Sequence, residues 1–291
     1  MVTTVALAGI TGKFGRLVAS KLIRSSNVIV RGYCRDPTKF IDALASSPNV
    51  HLVQGEAYDD VKIGEFVQGS DVVICAYLGD DELMVEDQKK LIDACESNGV
   101  PRYIASDWAL EYTKLELGQL FPKDPMKHVK AYLDSKKSVK GVHILIGGFM
   151  DPIFSPFFQV FDPASVTFKY WGEGTEPWEG TSHENAAEFT AAVAVDPSAV
   201  GIQKFLGDRK TIKEIAAFSR TYLMHRLRAE YPNDISKYMS LFFMYYWING
   251  QTFVGPETEN AKYSSVEPAT WEDFMKSRSI EQLAGAYFSL S

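Results

Sequence analysis

Gly9, Gly12 and Gly15 stand three residues apart, directly after the apolar run Val5 to Ala8 and at the start of the helical repeat Phe14, Leu17, Val18 and Leu22. A glycine turn between a buried strand and a helix is the setting in which this pattern binds phosphate. Gly9 would allow the tight turn. Gly12 would let the backbone approach a pyrophosphate with no Cβ in the way, and Gly15 would let the helix pack closely on the sheet. Backbone amides along Thr11, Lys13 and Phe14, at the helix start, would meet the negative charge. The spacing is G-x-x-G-x-x-G rather than G-x-G-x-x-G, and the competing reading is a glycine-rich turn that binds nothing.

A second group follows about 20 residues on, where nucleotide-binding folds often carry an acid for the ribose 2′-hydroxyl. Here Cys34-Arg35-Asp36-Pro37 ends the run Val28 to Tyr33. A guanidinium at Arg35 can grip a 2′-phosphate in bidentate fashion, and Lys39 adds a second cation. The expected cofactor is therefore NADP(H). The alternative is a solvated Arg35 with Asp36 on the ribose. Asp107 is the main acid–base candidate, because it leaves a strand at the carboxyl edge where cofactor and substrate would meet. Its other reading is a cap for the following turn. Tyr132 and Lys136 have the Y-x-x-x-K spacing of short-chain dehydrogenases, but Tyr132 lies on the apolar stripe Val129, Tyr132 and Leu133, and core packing is the favoured reading. His128 is read as an exposed helical residue in preference to an acid or base.

The elements that must position these groups alternate. Strands are expected at Val5 to Ala8, Val28 to Tyr33, Val50 to Gln54, Asp71 to Ala76, Arg102 to Ser106 and Val142 to Ile146. Helices are expected after Gly12, from Pro37 to Ser46, Val61 to Gln68, Glu86 to Asn98 and Pro125 to Val139. Short connections between them specify a doubly wound parallel α/β sheet, a Rossmann fold. Its carboxyl edge would present Ala76, Tyr77, Ser106 and Asp107 beside the glycine turn. Further on, the pattern gives strands at Val166 to Trp171 and Ile202 to Leu206, and helices at Glu184 to Val195 (capped by Ser182) and Thr211 to Arg228. Tyr238 to Trp247 is rich in aromatic residues and reads as a buried wall, pocket lid or subunit contact. Trp108, Phe149, Met150, Phe154 and Trp178 are candidate apolar lining for a flat or aromatic substrate.

The glycine turn, Arg35, Ser106-Asp107-Trp108, Gly147-Gly148-Phe149-Met150-Asp151 and Gly180-Thr181-Ser182-His183-Glu184-Asn185 together resemble the NmrA-like and isoflavone-reductase-like branch of atypical short-chain dehydrogenases, in particular its fungal members. The resemblance implies an NAD(P)-binding domain over residues 1–150, with Gly148 at the cofactor. It also implies a smaller, not independently folding, substrate-covering region over 151–291 that can return strands to the sheet. Reductases of this kind use a lysine on the helix before the sixth strand. Aligned on the apolar face of that helix, the lysine falls on Met126, with Lys127 one residue off. Aligned back from Val142 to Ile146, it falls on Lys130.

The net charge of −7 and pI near 5.4 argue against broad contact with nucleic acid or an anionic membrane. Three widely spaced cysteines in or beside apolar runs, without metal-ligand spacing, fit reduced thiols of a cytoplasmic protein. No run approaches the roughly 18 apolar residues of a membrane span. Three functions remain open. The first is an NADP(H)-dependent reductase of a C=C, C=O or C=N bond in an apolar aromatic substrate of fungal secondary metabolism. The second is a cyclase or isomerase that keeps the cofactor without hydride transfer, motivated by the displaced lysine. The third is a redox-sensing regulator with a protein partner. Monomer and homodimer are both open.

Overall fold

A computed structural model describes residues 2–40, 42–153, 155–162, 167–170, 172–215, 233–237, 239–248 and 250–285. The strands are β1 (Thr3–Ala8), β2 (Val28–Cys34), β3 (Val50–Gln54), β4 (Val72–Cys75), β5 (Arg102–Ile104), β6 (Lys140–Leu145), β7 (Gly148–Phe149), β8 (Phe161–Asp162), β9 (Thr167–Phe168), β10 (Pro177–Thr181), β11 (Gly201–Lys204) and β12 (Asp208–Thr211). The helices used below are α1 (Lys13–Leu22), α2 (Asp42–Ala45), α3 (Asp60–Val67), α4 (Gln88–Ser97), α5 (Asp124–Asp134), α6 (Met150–Ile153) and α7 (His183–Val195).

Seven strands form the main sheet in the order β11-β6-β5-β4-β1-β2-β3. Each neighbouring pair from β6 to β3 is parallel. Val5 to Ala8 and all of β4 are buried, which is why these runs carry no polar alternation. β1 lies between β4 and β2, so the chain reverses its direction of winding there. In open α/β sheets that reversal opens a crevice at the carboxyl ends of the strands.

The chain divides into two compact units. The first comprises Met1–Asp107, Pro125–Ile144 and Ala186–Gln203, and the second Trp108–Asp124, Leu145–Asn185 and Lys204–Ser291. They are not the sequence halves 1–150 and 151–291, because the chain crosses between them several times. Within the first unit, Arg102 explains why the segment after residue 186 packs there. Its buried guanidinium donates to the carbonyls of Val193 (3.0 Å), Ala194 (2.6 Å) and Asp196 (2.8 Å), satisfying orphan acceptors at the end of α7. Lys21 of α1 pairs with Glu188 at 3.0 Å.

Several expected elements are shorter or differently wound. Pro37 to Ser46 is a 3-10 turn at Pro37–Lys39 followed by the single turn α2. A π-helical segment at Glu82–Asp87 precedes α4. α7 begins at His183 with Ser182 as its cap, the Ser182 Oγ accepting from the Asn185 amide at 3.1 Å. Of the expected Val166 to Trp171 strand, Thr167–Phe168 is strand, while 163–166 and 171 lie outside the described residues. Of Thr211 to Arg228, Ile212–Ile215 is helical and 216–228 likewise lies outside them.

The second unit holds a small sheet in the order β12-β10-β7 over an aromatic core that includes Trp178, Phe242, Trp247, Trp271 and Phe274. Trp178 and Trp247 stack with centroids 4.8 Å apart. The helix Met239–Ile248 supplies Phe242 and Trp247 to this core; Tyr238, at the start of the aromatic stretch, lies outside the described residues. Nearby, the Asp151 carboxylate accepts from the His183 amide at 2.8 Å, lies 3.0 Å from His183 Nδ1, and accepts from Arg278 at 3.1 Å. Burial alone would raise this carboxyl, but the His183 bonds and the Arg278 charge bring it down to about 2. A carboxyl depressed on folding contributes stability that is present above its unfolded value and lost as pH falls through the folded one. Asp151→Asn should therefore cost about 2 kcal/mol at neutral pH and flatten the loss of stability between about pH 4 and pH 2. Urea denaturation at several pH values measures both. An unchanged acid limb would show that the pair contributes nothing.

Candidate cofactor and active site

The turn after β1 has the geometry expected of a phosphate cradle. Gly9 takes φ +78°, and a Cβ there would sit 2.6 Å from the Ala76 carbonyl oxygen. A Cβ on Gly15 would sit 2.3 Å from the Gly9 carbonyl oxygen, so that glycine lets α1 close onto the turn itself. Gly12 differs. It is exposed, its φ of −67° and ψ of 157° suit any residue, and a Cβ would meet only the Gly9 oxygen at 3.2 Å. Its bareness serves the open side of the turn. α1 starts there without a side-chain cap and without an acid in its first turn, leaving its positive end to an anion. Thr11, Lys13 and Phe14 are all partly exposed along this start.

At the exit of β2, Arg35 and Lys39 are exposed. Asp36 is turned into its own loop, where its Oδ1 accepts from the Thr38 amide at 3.0 Å and the Thr38 hydroxyl at 2.6 Å. Those bonds hold its carboxyl below the usual range, with a smaller contribution from Lys39. Asp36 thus acts as the cap of the 3-10 turn, which weighs against its serving the ribose. At the exit of β4, Ala76 is half-buried and Tyr77 buried, its ring against the Gly9 turn. The Ser106 hydroxyl donates to the Tyr77 carbonyl at 2.6 Å, so Ser106 ties the exits of β4 and β5 together.

Asp107 is buried. Its Oδ2 lies 2.7 Å from Nδ1 of His143, a buried residue of β6. The sequence reading missed His143. Its signal was a lone histidine inside the apolar run Val142 to Ile146, where a polar ring needs a partner. Trp108, the next residue, has φ 33°, uncommon for an aromatic side chain.

On α5 the buried stripe is Met126, Val129 and Leu133. Met126 thus occupies the inward position, Lys127 lies about 100° round the helix, and Lys130 is paired with Asp134 at 2.7 Å. His128 is exposed. Tyr132 is not in the core: its hydroxyl donates to Asp93 at 2.7 Å, and Lys136 Nζ reaches Asp93 (2.5 Å), Glu96 (3.2 Å) and the Tyr132 oxygen (3.2 Å). These bonds join the final turns of α4 and α5, which lead into the amino ends of β5 and β6, opposite the glycine turn. The Y-x-x-x-K spacing here builds a surface strut.

The remaining candidates belong to the second unit. Phe149 stacks on His183 with centroids 4.1 Å apart. Met150 and Trp178 are fully closed to solvent within the aromatic core, so they pack protein. A Cβ on Gly148 would lie 2.1 Å from the Trp247 ring, which accounts for glycine there. Phe154 lies outside the described residues. Cys34, Cys75 and Cys95 are buried and free, and burial pushes the Cys75 thiol up to about 12. Among the described residues no helix is long and apolar enough to cross a membrane, and no cluster of three histidine, cysteine or acidic side chains could hold a metal.

Comparison with known proteins bears on the fold and on the nucleotide-binding stretch. Residues 9–143 match the NAD(P)H-binding family. A stretch of 83 residues is 31% identical to Oxidoreductase dmxR7 of Cryptosporiopsis sp., covering 28% of this chain and 35% of that protein, about a third of its length. Among solved structures, isoflavone reductase superposes with a TM-score of 0.76 at 17% identity, covering 95% of this chain and 99% of the other. Leucoanthocyanidin reductase of Vitis vinifera, in its binary complex with NADPH, gives 0.76 at 17% identity over 96% and 99%. AtPrR2 with NADP+ and (+)-pinoresinol gives 0.77 at 16% identity over 95% and 98%. The chain therefore carries an NAD(P)H-binding domain over residues 9–143, within a Rossmann-like fold shared with the isoflavone-reductase-like structures.

Proposed function

We propose that this protein is an NADP(H)-dependent oxidoreductase that reduces a C=C, C=O or C=N bond of an apolar aromatic small molecule. The observation that carries the reading is the bare, open Gly12 at the uncapped start of α1, with a basic strand exit beside it. The pyrophosphate would rest on the turn from Gly9 to Gly15, and the adenosine 2′-phosphate would meet Arg35 and Lys39. The cofactor supplies hydride when bound. Asp107 is the group assigned to hold or move a proton, and His143 orients its carboxylate. The aromatic substrate class is supported by pinoresinol, bound by one structural relative. The fungal oxidoreductase match supports a place in fungal small-molecule metabolism.

A second reading has its own observation. Met126 fills the inward position of α5 and Lys130 is paired with Asp134, so no lysine is fixed at the inward position of that stripe. A cyclase or isomerase that keeps NADP(H) without transferring hydride does not need a lysine at that position, its acid–base work falling to Asp107 and a nearby lysine. Incubating the protein with NADPH and a panel of aromatic enones, ketones and imines separates the two. Loss of nicotinamide absorbance in step with product is expected. Substrate turnover at constant absorbance would select the second reading and reject the first.

A further inference from the structure

We propose that Arg16 is a third cation of the adenosine-end phosphate site, joining Arg35 and Lys39 around the 2′-phosphate monoester. The inference rests on the dinucleotide reading above and adds to it a residue on a different element. Arg16 lies in the first turn of α1, one residue beyond Gly15, and its Nη1 is 3.5 Å from the Lys39 carbonyl oxygen. The guanidinium is thereby held beside the loop that follows β2. That loop is fixed from several sides: Asp36 accepts from the Thr38 amide and hydroxyl, the Lys39 amide donates to the Asp36 carbonyl at 3.3 Å, and Gln54 Nε2 donates to the Arg35 carbonyl at 2.9 Å.

Every one of these contacts leaves the cationic heads of Arg35 and Lys39 uncommitted. Among the described residues, none of the three cations forms an ion pair with a carboxylate, although the chain carries 37 acidic residues against 30 basic ones. The one acid of the loop, Asp36, turns its Oδ1 to the Thr38 amide and hydroxyl. Three positive charges against one negative repel one another until a polyanion arrives. A phosphate monoester carries close to two negative charges and three acceptor oxygens, which suits two guanidinium forks and an ammonium. A ribose hydroxyl offers neither.

The test is equilibrium binding of NADPH, NADH, adenosine 2′,5′-bisphosphate and 5′-AMP to the full chain and to Arg16→Gln and Arg16→Lys. Melting temperature is checked for each variant. Arg16→Gln should weaken NADPH and the bisphosphate about three- to tenfold and leave NADH and 5′-AMP within about twofold, and Arg16→Lys should recover much of the loss. Equal weakening of all four ligands, the mark of a role in the shape of the turn, would overturn the inference, as would no change in any. A wild-type chain that binds neither dinucleotide would overturn the underlying reading. A chain that prefers NADPH, loses that preference with Arg35→Glu and ignores Arg16→Gln would overturn this inference alone.

Discussion

Gly12→Val is expected to abolish NADPH and NADH binding alike while leaving the fold standing. Among the three glycines of the turn, this position takes a side chain with the smallest adjustment, the Gly9 carbonyl giving way by a few tenths of an ångström. Gly9 has a left-handed φ and faces the Ala76 carbonyl, and Gly15 faces the Gly9 carbonyl at 2.3 Å, so side chains there break the turn before any ligand is considered. At Gly12 the dihedrals suit valine, and the nearest atom to a Cβ is 3.2 Å away and on one side only. The branched side chain would then occupy the space into which the amides of α1 point. Losing two charge-assisted amide bonds costs at least about 3 kcal/mol, more than a hundredfold in affinity. The melting temperature should stay close to that of the parent. Titration by nucleotide fluorescence measures the first effect and thermal unfolding the second. Undiminished affinity would move the pyrophosphate away from this turn.

Arg35→Glu should divide the two dinucleotides. Replacing a guanidinium with a carboxylate removes a bidentate partner of the 2′-phosphate and adds like-charge repulsion, together worth about a hundredfold against NADPH. NADH, which has a hydroxyl at that place, should lose little. The side chain is exposed and makes no contact on which the fold depends, so the change should spare stability. Equal loss for both dinucleotides would show that Arg35 does not face the 2′-phosphate.

How much of this was legible in the sequence follows from how local each feature is. The glycine turn and its flanking elements lie within one continuous stretch, and their residue types state their geometry: a buried run, a residue free to take positive φ, and a helix that must close tightly. The basic exit of β2 reads just as directly. The Asp107–His143 pair did not, because it depends on β6 lying beside β5 with Ile104 opposite Val142, a register fixed by tertiary pairing. Tyr132 misled for a different reason. Val129 and Leu133, four apart, define the buried line of α5, whereas Tyr132 stands on its flank, close enough to the stripe to look apolar and far enough round for its hydroxyl to reach Asp93. Gly148 looked like part of a binding motif because glycine is permissive for two reasons, and the Trp247 ring that explains it lies 99 residues away in sequence. The return of the later chain to the first unit was open in the sequence, but the Arg102 guanidinium that holds the end of α7 there is a tertiary contact.

The most direct measurement is calorimetric titration of the purified full chain with NADPH and, separately, with NADH. One saturable site per chain with clear preference for NADPH is the expected result. No heat and no saturation with either nucleotide would contradict the dinucleotide site at the start of α1.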